Sequence, residues 1–357
     1  MNTYNVIGIM SGTSLDGLDI CYCNFQLLKN KKWNFNILLA STIKYTSGLK
    51  NKLAQAKKLN GLDLMLLHNE LGNFIGNSIT KFIAKNSINK KEIDCISSHG
   101  HTIFHQPKIN LTTQIGNGAN ISTITQLQVI CDFRSVDVAL KGQGAPLVPI
   151  GDEVLFSEYD YCINLGGIAN ISYKKNKKRI AFDICPVNIV LNKLAQKLGS
   201  DFDDKGQLAK TGNINQKLLK KLNSLNYYKI APPKSLGIEW IEKNIFPIIE
   251  ASNISIEDQL RTFVEHIALQ ILKIITATNK NVLFTGGGTY NTFLMDCISN
   301  LSTAKIIIPS KEIIEFKEAL IFAFLGVLRL RQEFNCLKSV TGAEKNSIGG
   351  CIYQPFL

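Results

Sequence analysis

The stretch GIMSGTSLDGLD, Gly8 to Asp19, packs three glycines, two serines, a threonine and two aspartates into twelve residues. Before it, YNVIGIM reads as a buried strand, and after it LDICYCNF reads as the antiparallel return, so the polar centre is a hairpin tip. Such a tip exposes backbone N–H groups and hydroxyls in a tight concavity that suits phosphate oxygens. Gly12 and Gly17 permit close approach, and Ser11, Thr13 and Ser14 can donate. Taken alone, the turn is equally an ordinary hairpin with permissive residues.

The pattern recurs. YCINLGGIANISY repeats strand, glycine turn and return, with Gly166 to Asn170 at the corner, and VLFTGGGTYN places Gly286 to Gly288 at a third strand end. Two architecturally duplicated halves follow, with a seam near residues 140–150 in the glycine- and proline-punctuated RSVDVALKGQGAPLVP, which is expected to run over the surface. The expected domains are 1–145 and 146–357, with the final helix or tail able to pack back on the first. Apolar residues Leu67, Leu71, Phe74, Phe82 and Ile83 recur at helical spacing, and IDCIS from Ile93 is a strand, followed by SSHGHTIFHQP as a polar loop. A long helix after Ser255 opens on the capping box SIED, and Leu260, Phe263, Val264, Ile267, Ile271 and Ile274 form its core stripe.

Composition narrows the function. The 357 residues suit two domains, and 45% hydrophobic against 19% charged residues marks a folded chain. A net charge of +12 is compatible with nucleic acid, a membrane surface or an anionic small molecule, but only five of the basic residues are Arg and the lysines are scattered. The run KKNKKR, Lys174 to Arg179, reads as a solvated hairpin tip. Nine cysteines without a CxxC pair favour a reducing compartment, with Cys21 and Cys23 as buried small hydrophobes. No secretory leader is visible, and the apolar run ALIFAFLGVL is too short to span a bilayer. The expected location is the cytoplasm, with neither nucleic acid nor membrane as partner.

There is no GxxxxGK[ST] and no GxGxxG joining strand to helix, which excludes a P-loop and a dinucleotide fingerprint. Duplicated glycine hairpins resemble instead the superfamily of actin, the heat-shock chaperone ATPase domain and sugar kinases such as hexokinase. The resemblance implies an α/β fold, a two-lobed actin-like ATPase of duplicated ribonuclease H-like domains with an active-site cleft between lobes. GIMSGTSLDGLD, SHGHTIFHQP, DFRSVDVALKGQGAPLVP, NLGGIANIS, PPKSLGIEW, FTGGGTYN and VTGAE, in that order, are similar to the anhydro-N-acetylmuramic acid kinase family over essentially the whole chain. That family's reaction uses ATP to phosphorylate 1,6-anhydro-N-acetylmuramic acid while water opens the anhydro bridge, giving N-acetylmuramic acid 6-phosphate and ADP in peptidoglycan recycling.

The resemblance implies ATP and Mg²⁺ as cofactors, an anhydro-amino-sugar as substrate, and a homodimer. It assigns ATP to Gly12, Thr13, Ser14, Leu15, Asp16, Gly17, Leu18 and Asp19, to Gly166 and Gly167, and to Gly286, Gly287 and Gly288. Asp183, expected to close the strand RIAFD, matches the catalytic aspartate that takes a proton from water. The sugar falls to His99, Thr102, Asp132, Arg134, Asn188 and Glu318. Arg134 can fork two hydrogen bonds to sugar or lactyl oxygens, or pair with Asp132 to brace its loop; Glu318, taken as the start of the last helix, is otherwise a dipole carboxylate. Asp16 can hold Mg²⁺ through water or brace the tip, and the metal's ligands stay unassigned. The family's Thr-Gly-Pro-Gly-Asn run is here DICPVN, with Cys185 and Val187 in place of glycines, and His101 stands where glutamine is expected. A related sugar kinase of different specificity is therefore one competing reading, and a non-catalytic actin-like assembly protein another.

Overall fold

Apolar residues on both faces of Thr3–Ser11 (β1) demand a cover on each side, and the computed structural model, which describes residues 2–12, 15–275 and 278–355, supplies it. β1 pairs antiparallel with Leu18–Leu27 (β2), and β2 with Trp33–Ile43 (β3). On its other edge β1 pairs parallel with Cys95–Gln106 (β4), which pairs with the antiparallel flap Leu111–Ile115 (β5) and parallel with Val129–Cys131 (β6). The short strand Cys351–Tyr353 closes the far edge. Ile7, Ile9, Ile20 and Tyr22 pack with Leu67, Leu71, Ile75, Ile79 and Phe82 of Gly61–Lys85 (α1), each buried apolar side chain contributing roughly 2 kcal/mol. The opposite face meets the helix Lys311–Leu330, where Phe324 lies 5.4 Å from Phe25 and 5.2 Å from Trp33 by ring centroids. Gly8 is required there: a Cβ would strike the Ala319 carbonyl and come within 2.8 Å of Ala323 Cβ.

This first unit comprises Met1–Leu155 and Phe316–Leu357; the second is Phe156–Glu315. In the second, Tyr161–Leu165 (β7), Ile168–Lys175 (β8) and Lys178–Pro186 (β9) form an antiparallel meander, and β7 pairs parallel with Asn281–Thr285 (β10), which pairs parallel with Lys305–Ile307 (β11). Its order, β9-β8-β7-β10-β11, reproduces β3-β2-β1-β4-β6 of the first unit. The duplicated α/β plan expected from the glycine hairpins is thus present strand for strand. Behind β9 lies Asn188–Gln196 (α2), and the core is filled from Ile256–Leu272 (α3), whose Leu260, Phe263, Val264, Ile267 and Ile271 are buried. Ser255 Oγ accepts the Asp258 N–H at 3.1 Å, as the capping box requires, and Asn291 caps Thr292–Leu301 (α4) through the Leu294 N–H at 3.0 Å.

Three expectations need correction. The division does not fall at 145/146, because residues 146–155 belong to the first unit; residues 316–357, the final helix and tail, belong to it as well. SSHGHTIFHQP is no loop but the body of β4, with Ser97, Ser98, His99 and His101 all buried. RSVDVALKGQGAPLVP does not wander over the surface: Asp137 is 1% exposed, and Val138 and Leu147 are buried. In both segments the polar side chains are paired by distant parts of the chain, which local polarity cannot reveal. Among the described residues no helix is long and apolar enough to cross a membrane.

Candidate active site

In the second unit the two glycine turns meet. Gly286, at φ +83°, leaves no room for a side chain, since a Cβ would strike Asn164 Oδ1 and lie 2.9 Å from the Leu165 carbonyl; at Gly288 it would lie 2.7 Å from Leu165 Cβ. The Gly286–Gly288 corner therefore seats directly on the end of β7. Gly287 is different: it is exposed, and a Cβ there would meet nothing within 4 Å. At Gly166 a Cβ would make only ordinary contacts, 3.4 Å or longer. The fold itself has no need of glycine at 166 or 287.

The carbonyl of Gly166 accepts the Asn188 N–H at 3.3 Å, and that of Gly167 accepts the N–H groups of Val187 and Ile189 at 2.9 and 3.2 Å. Across a trans peptide the N–H points opposite to the carbonyl, so the Gly167 N–H is turned away from the Asn188 N–H that the Gly166 carbonyl accepts. Asn188 Nδ2 donates to the Leu165 carbonyl at 3.3 Å, tying the same corner together. Cys185 and Val187, the departures from the family's glycines, are both fully buried in the core of this unit. Their side chains fill the interior and leave the turn's surface unobstructed.

Asp183 does not close its strand. It sits within β9 opposite Asn170, beside a bulge that places Cys185 opposite Ala169. A segment that sequence reasoning singled out without assigning a role holds it: Leu236 N–H donates to Asp183 Oδ2 at 2.8 Å, Tyr227 Oη–H donates to the Asp183 carbonyl at 2.6 Å, and the Asp183 N–H donates to the Lys234 carbonyl at 3.3 Å. Lys234 Nζ stacks over the Tyr227 ring at 4.5 Å and donates to the Tyr227 carbonyl at 3.0 Å. Trp240 packs 5.3 Å from Tyr227, as core rather than as a platform. Burial raises the Asp183 carboxyl above its ordinary range, and the Leu236 hydrogen bond pulls the other way.

In the first unit the hairpin tip follows Ser11. Thr13 and Ser14 lie outside the described residues. Leu15 takes φ +58° and its N–H donates to the Gly12 carbonyl at 3.3 Å, Asp16 is exposed, and Gly17 closes against β3, where a Cβ would lie 2.6 Å from Thr42 Cγ2. Leu18 is core, and Asp19 accepts Thr42 Oγ1–H at 2.6 Å. Beneath the tip runs a relay absent from the expectations: Tyr45 Oη donates to Ser11 Oγ at 2.7 Å, and Ser11 Oγ lies 2.8 Å from His101 Nδ1. His101 thus ties β4 to the end of β1.

Arg134 and Asp132 do not pair. Arg134 Nε and one terminal nitrogen both donate to His99 Nε2, at 3.1 and 2.9 Å, while its other terminal nitrogen donates to the Gly144 carbonyl at 2.6 Å. The fork expected for the sugar is spent on His99. The arrangement requires His99 neutral, with Nδ1–H donating to the Gly100 carbonyl at 2.9 Å, and burial plus the guanidinium hold its pKa well below the ordinary value. Asp132 Oδ1 accepts Ser135 Oγ–H at 2.5 Å. Thr102 Oγ1 accepts from Gln114 at 3.4 Å, and His105 lies 3.1 Å from Thr112 Oγ1, so the three histidines have separate partners. Glu318 is not at a helix start but the eighth residue of Lys311–Leu330. It is exposed, yet crowded enough that desolvation raises its carboxyl, with Arg134 lowering it and Asp19 adding to the rise. Glu318 therefore lies in the fields of both Arg134 and Asp19, and Arg134 joins His99 to it.

The family model for anhydro-N-acetylmuramic acid kinase matches residues 4–355. The protein of that name from Francisella tularensis subsp. novicida is 34% identical, covering 97% of each chain, and that from Sulfurimonas denitrificans is 31% identical over 98% of this chain and 99% of its own. Among solved structures, the activator of 2-hydroxyisocaproyl-CoA dehydratase from Clostridium difficile with bound ADPNP gives a TM-score of 0.46 at 14% identity, over 92% of this chain and 97% of that one.

Proposed function

The chain belongs to the anhydro-N-acetylmuramic acid kinase family, and from that premise we propose that it phosphorylates 1,6-anhydro-N-acetylmuramic acid at the 6-oxygen with hydrolytic opening of the anhydro ring, Asp183 acting as the base. The observation that carries this reading is the half-buried Asp183 carboxylate, one oxygen fixed by the Leu236 N–H and its pKa raised. A base of that kind is oriented and more proton-hungry than an exposed aspartate. The other carboxylate oxygen takes the proton of a water attacking the anomeric carbon. The bond from that carbon to the 6-oxygen breaks, the 6-oxygen attacks the γ-phosphorus in line, and ADP departs.

ATP fits the glycine corners because Gly166 and Gly287 are glycines where packing does not ask for them, which leaves close approach of a ligand as their use. In this reading the Gly167 N–H and the Gly12–Gly17 tip receive phosphate oxygens and Gly286–Gly288 lies beneath adenosine. The exposed carboxylate of Asp16 is a hard oxygen donor of the type Mg²⁺ takes, directly or through water. When bound, Mg²⁺ neutralises phosphate charge. Arg134 and Glu318 face the sugar, Arg134 through the two N–H bonds it does not commit to His99 and Gly144, and His99, its ring nitrogens spent on Gly100 and Arg134, serves the sugar by orienting Arg134; Thr102, Asp132 and Asn188 complete or brace that surface. The enzyme works in the cytoplasm, as a homodimer.

Cys185 and Val187 are buried in the core, so DICPVN adds no side chain at the turn, which supports the family's own acceptor; an oriented, partly desolvated carboxylate supports an enzyme over an assembly protein. The test is ADP release in water labelled with heavy oxygen, with the anhydro sugar as acceptor. One ADP per product and one heavy oxygen at the anomeric carbon support the proposal; ADP release indifferent to the sugar, or a product that keeps its anhydro ring, refutes it.

A further inference from the structure

Asp137 is a carboxylate with 1% of its surface exposed, and neither base catalysis nor ligand contact accounts for it. Its two oxygens serve different segments. Oδ2 accepts the Gly144 N–H at 2.8 Å, while Oδ1 accepts Thr341 Oγ1–H at 2.8 Å and the Cys336 thiol at 3.0 Å. The C-terminal segment is bound to the same loop a second time, by the Gln143 N–H on the Thr341 carbonyl at 2.8 Å and the Glu344 N–H on the Leu140 carbonyl at 3.0 Å. Gly142 lies so close that a Cβ there would strike the Asp137 carboxylate. Gly144, at φ +66°, is gripped on both sides: its N–H by Asp137, and its carbonyl by Arg134, whose remaining hydrogen bonds orient His99.

From this we infer that Asp137 is a positioning residue for the sugar side of the site: by fixing Gly144 it sets the Gly144 carbonyl against Arg134 and so holds the Arg134–His99 pair where substrate meets it. The inference rests on the reading that places Arg134 and His99 at the sugar. The physical reason for a carboxylate is acceptor capacity. Three donors converge on it, and an amide of the same shape offers one oxygen in place of two. A buried N–H that loses its acceptor pulls away from the replacement, and Gly144 moves with it.

The test compares Asp137→Asn with Thr341→Val. Two donors at Oδ1 against one at Oδ2 hold the amide oxygen on the Thr341 and Cys336 side, so the first leaves the Gly144 N–H facing an amide N–H; the second removes one donor from Oδ1 and leaves the Gly144 bond intact. Sugar KM, ATP KM, kcat and melting temperature are measured for both. The expected result is a rise of about tenfold or more in sugar KM for Asp137→Asn, the size of one buried hydrogen bond, with ATP KM and the sugar KM of Thr341→Val changed less than about twofold. Equal effects of the two variants on sugar KM, or a parallel rise in ATP KM, would show general destabilisation and overturn the inference. If Asp137→Asn does not fold, Asp137→Glu, one methylene too long for the Gly144 bond, is judged by the same criterion. Arg134→Lys separates the levels: if it raises sugar KM while the Asp137 variants do not, only the positioning role fails; if it leaves sugar KM unchanged, the placement of Arg134 at the sugar fails and the inference falls with it.

Discussion

The backbone N–H of Leu236 lies 2.8 Å from Asp183 Oδ2, across 53 residues of chain. That bond leaves one oxygen of the carboxylate to receive a proton, while burial keeps the group's pKa above the ordinary 3.8 despite the donated hydrogen bond. As base, Asp183 must be ionised. The acid limb of kcat/KM is therefore expected above pH 3.8, activity falling as pH drops through it; a limb at or below that value, measured with saturating ATP, contradicts the assignment.

The same shift has a sign for stability. A carboxyl whose folded pKa is raised contributes stability that is present below the unfolded value and is lost as pH rises through the folded one. Ionised Asp183 thus costs the fold stability at neutral pH. Asp183→Asn, its amide oxygen turned to Leu236, is expected to melt no lower than the wild type at pH 7 and higher if packing is kept, with the advantage disappearing below pH 3.8. A lower melting temperature at pH 7 with no convergence in acid is the contrary result.

His266 is fully buried, 2.7 Å from Asn223 Oδ1 through Nδ1 and 3.0 Å from Tyr228 Oη through Nε2, and burial pushes its pKa down to about 3. The unfolded chain binds this proton near pH 6.5 and the folded one does not, so the stability it confers is complete above pH 6.5 and is lost as pH falls from 6.5 towards 3. Each such imidazole contributes a slope of about 1.4 kcal/mol per pH unit. His99 is shifted in the same direction. Denaturant melts between pH 7 and 4 are expected to show this slope, reduced by about one proton in His266→Gln; an unchanged slope in that variant counts against a buried neutral imidazole.

Two glycines separate fold from ligand. Gly286→Ala is expected to lose about 1–3 kcal/mol of stability, because its φ is +83° and its Cβ strikes Asn164 and Leu165. Gly287→Ala meets no protein atom within 4 Å and is expected to melt like the wild type while raising ATP KM. An unaltered ATP KM at position 287 would remove the adenosine from that corner.

Much of this was legible from local chemistry. The hairpin GIMSGTSLDGLD and its counterpart NLGGIANIS are strand, turn and return as glycine spacing predicts, and Ser255 and Asn291 cap their helices because their oxygens find N–H groups three residues ahead. What was missed depends on partners far along the chain. Ser97 is buried because its hydroxyl reaches the Phe322 carbonyl, and His99 because Arg134 does, so a β-strand read as a polar loop. Arg134 spends on His99 the fork that sequence assigned to the sugar, and Glu318 lies seven residues beyond its helix start, an offset set by where the helix begins at Lys311. The role of the segment Tyr227–Leu236 at Asp183 escaped because two of the three bonds it makes to Asp183 use its backbone, which carries no side-chain signature.

The central claim is that Asp183 takes the proton of the attacking water. Its most direct test is single-turnover product formation by Asp183→Asn, alongside calorimetric binding of the anhydro sugar and of a non-hydrolysable ATP analogue. The account predicts both ligands bound within a few-fold of the wild type and turnover lowered by about 10²–10⁴, the share a positioned base supplies. Turnover within about threefold of the wild type, with binding intact, would contradict it.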